Sequence, residues 1–298
     1  MRILLLGKDG QVGWELQRAL APLGEVVALG YDGQSGLSLD IGDETAVRAT
    51  VAAVMPQVIV NAAAYTAVDR AESEPVLARR VNAEAVGVLA DEAAARGVWL
   101  VHYSTDYVFD GSGGRPRHED DPTAPLSVYG KTKLAGEEAI RASGCRHLIL
   151  RTSWVYAARG DNFARTMLKL AAEREQLTVI ADQVGAPTGA DLIADVTAHL
   201  VRAVVSADDA SRGGTYHLAA AGETSWHGYA NFVIEEARRR HNAQFKVREI
   251  APVLSSAWPS PAQRPLNSRL DTTRLQAEFG VYLPDWRFGV GRLLDEIL

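Results

Sequence analysis

Tyr129 and Lys133 stand in the order Y-x-x-x-K within Tyr129-Gly130-Lys131-Thr132-Lys133. On a helix, positions i and i+4 share a face, which sets a phenol beside an ammonium. A free tyrosine, with a pKa of about 10, exchanges protons poorly at neutral pH. A neighbouring lysine stabilises the phenolate and brings that value toward the operating pH. Such pairs are common on surface helices, so the context has to carry the reading. Upstream lies a strand-like run, His102-Tyr103-Ser104-Thr105-Asp106-Tyr107-Val108-Phe109, that ends in hydroxyls. Thr105 is the candidate third hydroxyl, with Ser104 as its rival. Thr105, Tyr129 and Lys133 together could bind and protonate a carbonyl oxygen while a reduced nicotinamide supplies hydride.

A nicotinamide needs a dinucleotide site, and the chain opens with the elements of one. Gly7-Lys8-Asp9-Gly10-Gln11-Val12-Gly13 is G-x-x-G-x-x-G between the apolar run Ile3–Leu6 and a segment of helical period, Gln11–Leu20. Gly7 and Gly10 allow a tight turn close to a pyrophosphate. The N–H groups at Gln11 and Val12 open the helix toward an anion, and Gly13 permits close helix–strand packing. Asp32 is either an acid on the adenosine ribose or an ordinary loop acid. Asp40-Ile41 could sit by the adenine. In Asn61-Ala62-Ala63-Ala64-Tyr65 the small residues Ala63 and Ala64, followed by Tyr65, let backbone pass against a flat cofactor.

The elements needed to position these residues alternate along the chain. Strands are expected at Ile3–Leu6, Glu25–Leu29, Gln57–Asn61, Val98–Ser104 and Arg146–Thr152. Helices are expected at Gln11–Leu20, Asp43–Val54, Glu74–Arg96 and Ser127–Ala142, with Pro75 in the first turn of the third. Apolar strands alternating with helices predict an α/β fold, a doubly wound parallel sheet covered on both faces. Residues 1–152 form the expected dinucleotide-binding domain, rejoined by about 175–222. Residues 153–174 and 223–298 form a smaller substrate-binding lobe. Helices are expected there at Asn162–Arg174, Leu192–Val205, Trp226–Arg240 and Phe288–Leu298, and strands at Leu177–Ile180 and Tyr216–Ala219. Pro252, Pro259, Pro261 and Pro265 mark an irregular connection.

Composition narrows the partners. The chain has 298 residues and a formal net charge of −6, against a general nucleic-acid binder. The lone Cys145 excludes an internal disulfide framework. No apolar stretch approaches the roughly 18 residues of a membrane span, so a cytoplasmic protein is expected.

Taken together, the motifs resemble the extended short-chain dehydrogenase/reductase superfamily, in the Rossmann class. Longer stretches narrow this to the dTDP-4-dehydrorhamnose reductase family. They include 7–16, Val60 to Asp69, Glu72-Ser73-Glu74-Pro75, Ser104 to Phe109, Val128 to Glu137, Arg151 to Tyr156, Gln183 to Gly189, and Arg264 to Leu270. The resemblance spans essentially the whole chain. It implies reduction of the C4 ketone of a dTDP-sugar, dTDP-4-dehydro-L-rhamnose, by NADPH or NADH, the last step toward dTDP-L-rhamnose for cell-surface polysaccharide. It makes Tyr129 the proton donor and Lys133 its partner, puts Thr105 and Asp106 on the sugar, and gives Trp154 to the sugar pocket. Arg264 and Asn267 would lie toward the nucleotide. It also implies a homodimer held by Mg²⁺ on carboxylates, matched here by Glu15, Asp191 and Glu296, with aspartate at 191 where the family pattern has glutamate. In Gly30-Tyr31-Asp32-Gly33 a glycine stands where an acid is usual, which leaves the choice of NADPH or NADH open. The rival readings are a nucleotide-sugar epimerase or dehydratase, and a non-catalytic regulatory subunit.

Overall fold

The computed structural model describes residues 1–31, 38–207 and 210–298. Asp32 lies outside the described residues. Five strands come from the first half: β1 (Arg2–Leu6), β2 (Glu25–Leu29), β3 (Val58–Asn61), β4 (Trp99–Thr105) and β5 (Arg146–Thr152). A sixth, Gly214–His217, pairs with β5. The spatial order is Gly214–His217, β5, β4, β3, β1, β2, and every pairing is parallel. All residues of β3 and β4 are buried, as expected for strands covered on both faces.

Strand alternation sorts the side chains of β1 into two cores. Ile3 and Leu5 pack with α1 (Gln11–Leu20) and with the Ala190–Ala207 helix. Leu4 and Leu6 pack with α2 (Glu44–Val54) and the Ala85–Arg96 helix. From β1 the chain goes to β2 on one side and then returns to β3 on the other. A crevice opens at such a reversal, outside the C-terminal ends of the strands. Gly7, Ala62–Ala64 and Thr105 all follow or end those strands.

The segment expected as one helix, Glu74–Arg96, is divided into Pro75–Arg79, a π-helical turn Arg80–Glu84, and Ala85–Arg96. The wide turn carries the buried Asn82, whose Oδ1 accepts from the Tyr65 N–H at 2.8 Å and whose Nδ2 donates to the Tyr65 carbonyl at 3.0 Å. It thus ties the Ala62–Tyr65 loop to the helical layer, a functional use common for π turns.

The later part of the chain adds the helices Phe163–Glu173, Trp226–His241 and Trp286–Ile297 around a core that includes Tyr156, Leu168, Tyr229, Val233 and Trp286. The proline-rich connection is more regular than expected at one point. Glu249–Val253 is a strand paired with Gln176–Ile180, with Pro252 opposite Val179. This sheet has only two strands, so both are edges, where the missing proline N–H is tolerated. A short helix, Thr273–Phe279, was not foreseen; its Leu275 and Phe279 join the core under Tyr216. Among the described residues no helix is long and apolar enough to cross a membrane.

Candidate active site

A cavity of about 850 Å³ runs from the glycine turn to Trp226. Most of the residues singled out from sequence line it: Gly7, Gly10, Gln11 and Val12 from the turn; Asp40 and Ile41 beyond β2; Ala63, Ala64 and Tyr65 after β3; and Thr105, Asp106, Tyr129, Lys133 and Trp154. Ser104, the rival hydroxyl, lines it too.

The glycine turn is built to bring backbone close. Gly7 has φ +83, and a Cβ there would stand 2.5 Å from the Ala63 nitrogen. Only glycine combines that conformation with that approach, which presses β1 and β3 together at the reversal point. Gly13 does not line the cavity. A Cβ on it would overlap the Gly7 carbonyl oxygen, so it serves the close packing expected of the last glycine. No side chain caps α1, leaving backbone N–H groups at its start available to an anion. A dinucleotide pyrophosphate fits this cradle.

Tyr129 and Lys133 lie in the helix Val128–Ser143, whose N-cap Ser127 accepts from the Gly130 N–H at 3.2 Å. The helix does set both residues toward the cavity, but the lysine does not act on the phenol as expected. Lys133 Nζ donates to the Tyr103 carbonyl at 2.6 Å and meets His102 Nε2 at 3.1 Å. Burial, then the charge of Asp106, push Tyr129 up to about 12, and the Thr105 hydroxyl pulls the other way. Burial also raises Asp106 to about 6 and lowers Lys133 to about 8. The expected lowering of the tyrosine is therefore corrected. Desolvation outweighs the Thr105 hydroxyl, and the phenol keeps its proton.

Behind Lys133 lies a buried ion pair that sequence reasoning missed. Arg151 on β5 holds Glu137 in a two-pronged contact, Nε to Oε1 at 2.8 Å and Nη2 to Oε2 at 2.7 Å. The helical spacing of Lys133 and Glu137, one turn apart, was the available signal.

The other end of the cavity is aromatic. Trp154 stacks on Trp226 with ring centroids 3.7 Å apart and planes 15° from parallel. Trp154 is held at φ +50, a conformation that bulky residues rarely adopt and that persists only where the surroundings enforce it. Trp226 escaped notice in the sequence, because its partner lies in another segment. Its Nε1 donates to Gln183 Oε1 at 3.1 Å.

Arg264 and Asn267 do not line the cavity. Arg264 Nη2 donates to Asp69 Oδ2 at 2.8 Å and its guanidinium lies against Tyr107, a cavity residue. Asn267 spends its amide on backbone: Nδ2 donates to the Arg115 carbonyl at 2.7 Å, and Oδ1 accepts from the Arg269 N–H at 3.2 Å. Glu15, Asp191 and Glu296, the carboxylates matched to an interface metal, each meet an arginine in this chain. Glu15 pairs with Arg18, and Arg292 stands at both Asp191 and Glu296. Among the described residues no group of three metal-ligating side chains converges.

The whole chain, residues 1–298, matches the family model described as the RmlD substrate binding domain. The chain belongs to this family. It is 54% identical over 297 residues to the dTDP-4-dehydrorhamnose reductase of Shigella flexneri, covering 100% of this chain and 98% of that protein. Among solved structures, a dTDP-4-dehydrorhamnose reductase from Bacillus anthracis, in complex with NADP, superimposes with a TM-score of 0.88 at 32% identity, covering 99% of each chain. The enzyme of the same name from Clostridium acetobutylicum gives 0.86 at 35% identity, again over 99% of each. The family's Rossmann-like sheet is the one described here.

Proposed function

We propose that the protein reduces the C4 ketone of dTDP-4-dehydro-L-rhamnose to the alcohol, giving dTDP-L-rhamnose at the expense of NADPH or NADH. One observation carries the reading: a single cavity joins the glycine cradle to Thr105, Tyr129 and Lys133. Gly7, Gly10, Gln11 and Val12 would hold the pyrophosphate, Asp40 and Ile41 the adenosine end, and Ala63, Ala64 and Tyr65 the flat face of the cofactor. The nicotinamide, when bound, supplies hydride to the C4 carbon.

Tyr129 supplies the proton. At neutral pH its O–H is intact, because burial, then the charge of Asp106, push its pKa up to about 12. As charge develops on the ketone oxygen, the phenol O–H breaks and the product alcohol O–H forms. Thr105 offers its hydroxyl to the same oxygen, and the Trp154–Trp226 stack gives the deoxysugar an apolar wall. Arg264, beside Tyr107, presents a guanidinium suited to the substrate diphosphate. Asn267 acts indirectly, by holding the turn at Arg115. We also assign residues 1–152 and about 175–222 to cofactor binding, and 153–174 with 223–298 to the substrate lobe. The setting is cytoplasmic.

The test is to supply dTDP-4-dehydro-L-rhamnose with NADPH or with NADH and follow the nicotinamide absorbance. Loss of absorbance matched by alcohol formation is expected. No turnover with either cofactor would overturn the reading.

A further inference from the structure

The residue that follows β2 is Gly30, where a nucleotide-binding sheet usually carries an acid. Such an acid accepts from the adenosine ribose and disfavours a 2′-phosphate. In this chain another segment fills the place. A Cβ on Gly30 would overlap Asp9 Oδ2 and stand 3.0 Å from Asp9 Cγ. The carboxyl group of Asp9 therefore occupies the space in which a side chain at position 30 would begin.

The glycine turn holds it there. The backbone N–H groups of Gly7 and Lys8 both donate to the Leu29 carbonyl, at 3.0 and 3.2 Å. These two bonds tie the turn to the last residue of β2, and the next side chain along the turn is Asp9. It is exposed, and it lines the cavity with Gly10, Gly30 and Tyr31. A dinucleotide with its pyrophosphate at the start of α1 and its adenine at Asp40 and Ile41 has to pass its adenosine ribose between them, along the end of β2.

The charge at this end is negative. Among the described residues that line it, Asp9 and Asp40 are carboxylates and Arg80 is a cation, and Arg80 Nη2 already donates to Asp40 Oδ2 at 3.2 Å. Lys8 Cε lies 3.3 Å from the same Cβ position on Gly30, but Lys8 is buried and does not line the cavity.

We propose that Asp9 selects the dinucleotide: its carboxylate accepts from the ribose 2′-hydroxyl of NADH and repels the 2′-phosphate of NADPH, so the protein binds NADH in preference. The proposal rests on the reductase reading and names its cofactor. A hydroxyl has a proton to give to a carboxylate, whereas a 2′-phosphate brings acceptor oxygens and like charge. Like charges set together cost affinity without a steric clash, which is specificity by repulsion. Glycine at position 30 then has a use, since any side chain there displaces the acid.

The test is fluorescence titration of the full chain with NADH and with NADPH, in the absence of sugar. Wild type should bind NADH about tenfold or more tightly than NADPH. Equal binding, or tighter binding of NADPH, would overturn the proposal. Asp9→Asn keeps an acceptor for the hydroxyl and removes the charge. Its affinity for NADPH should rise about tenfold while that for NADH stays within about threefold. A gain of affinity is a readout that damage to the turn would not produce. A preference that persists in Asp9→Asn and collapses in Asp32→Asn would give the role to Asp32 and overturn the proposal. Because binding is read without turnover, a reversed preference leaves the reductase reading standing, and failed turnover leaves the preference untouched.

Discussion

The two ends of the cavity are made from different materials. At the cofactor end the wall is backbone: Gly7 against Ala63, uncapped N–H groups opening α1, and the Ala62–Tyr65 loop pinned by Asn82. At the substrate end the wall is side chain: Trp154 on Trp226, with Phe163 a further 4.6 Å from Trp226. A backbone wall suits a ligand whose shape never changes, since it has little freedom to rearrange. An aromatic wall takes its shape from packing between distant segments, and can be retuned one residue at a time. The first should therefore fail abruptly when altered, and the second by degrees.

Gly13→Val is the harshest way to test that contrast. Its Cβ would overlap the Gly7 carbonyl, and backbone, unlike a flexible side chain, has to shift. Cofactor affinity, measured by fluorescence titration, should fall about 100-fold or more. A variant that binds as wild type would show the cradle to be softer than described. Trp226→Ala removes only the support under Trp154. Aromatic pairs contribute about 0.5–1.5 kcal/mol beyond area, so the substrate KM should rise about 5-fold with cofactor affinity unchanged. A loss of cofactor binding instead would mean that the two ends are not separable.

The smallest effect is expected where the ends meet. Asp106 carries charge above about pH 6 and raises Tyr129. Reduction needs the protonated phenol, so the rate declines as pH rises through the Tyr129 pKa. Asp106→Asn removes the negative charge, lowers that pKa and should move the decline down by about one pH unit. An unchanged alkaline limb would exclude Asp106 as a contributor, beside burial, to keeping the acid protonated.

The same contrast explains what could be read from sequence. The cofactor end was legible because its determinants are local: G-x-x-G-x-x-G between a strand and a helix, and Y-x-x-x-K at helical spacing. The parallel sheet followed from alternating apolar runs; that Ile3 and Leu5 face one core and Leu4 and Leu6 the other is what the structure adds. Trp226 was not legible, because nothing near it in the chain announces Trp154. His102 looked like a strand residue before the hydroxyls, and only the pairing of β3 with β4, which sets Asn61 opposite His102, gives it partners. Asn82 was hidden inside an apparently continuous helix. The effect of Lys133 on Tyr129 was misjudged for a related reason. Spacing placed the two on one face but could not show that Tyr103 and His102 hold the amine.

The most direct test is Tyr129→Phe, with single-turnover reduction and cofactor titration measured on the same preparation. Chemistry should slow by about 10²–10⁴-fold, the range for a lost general acid, while cofactor affinity stays within about twofold of wild type because the glycine cradle is intact. Turnover at the wild-type rate would contradict the assignment of Tyr129 as the acid.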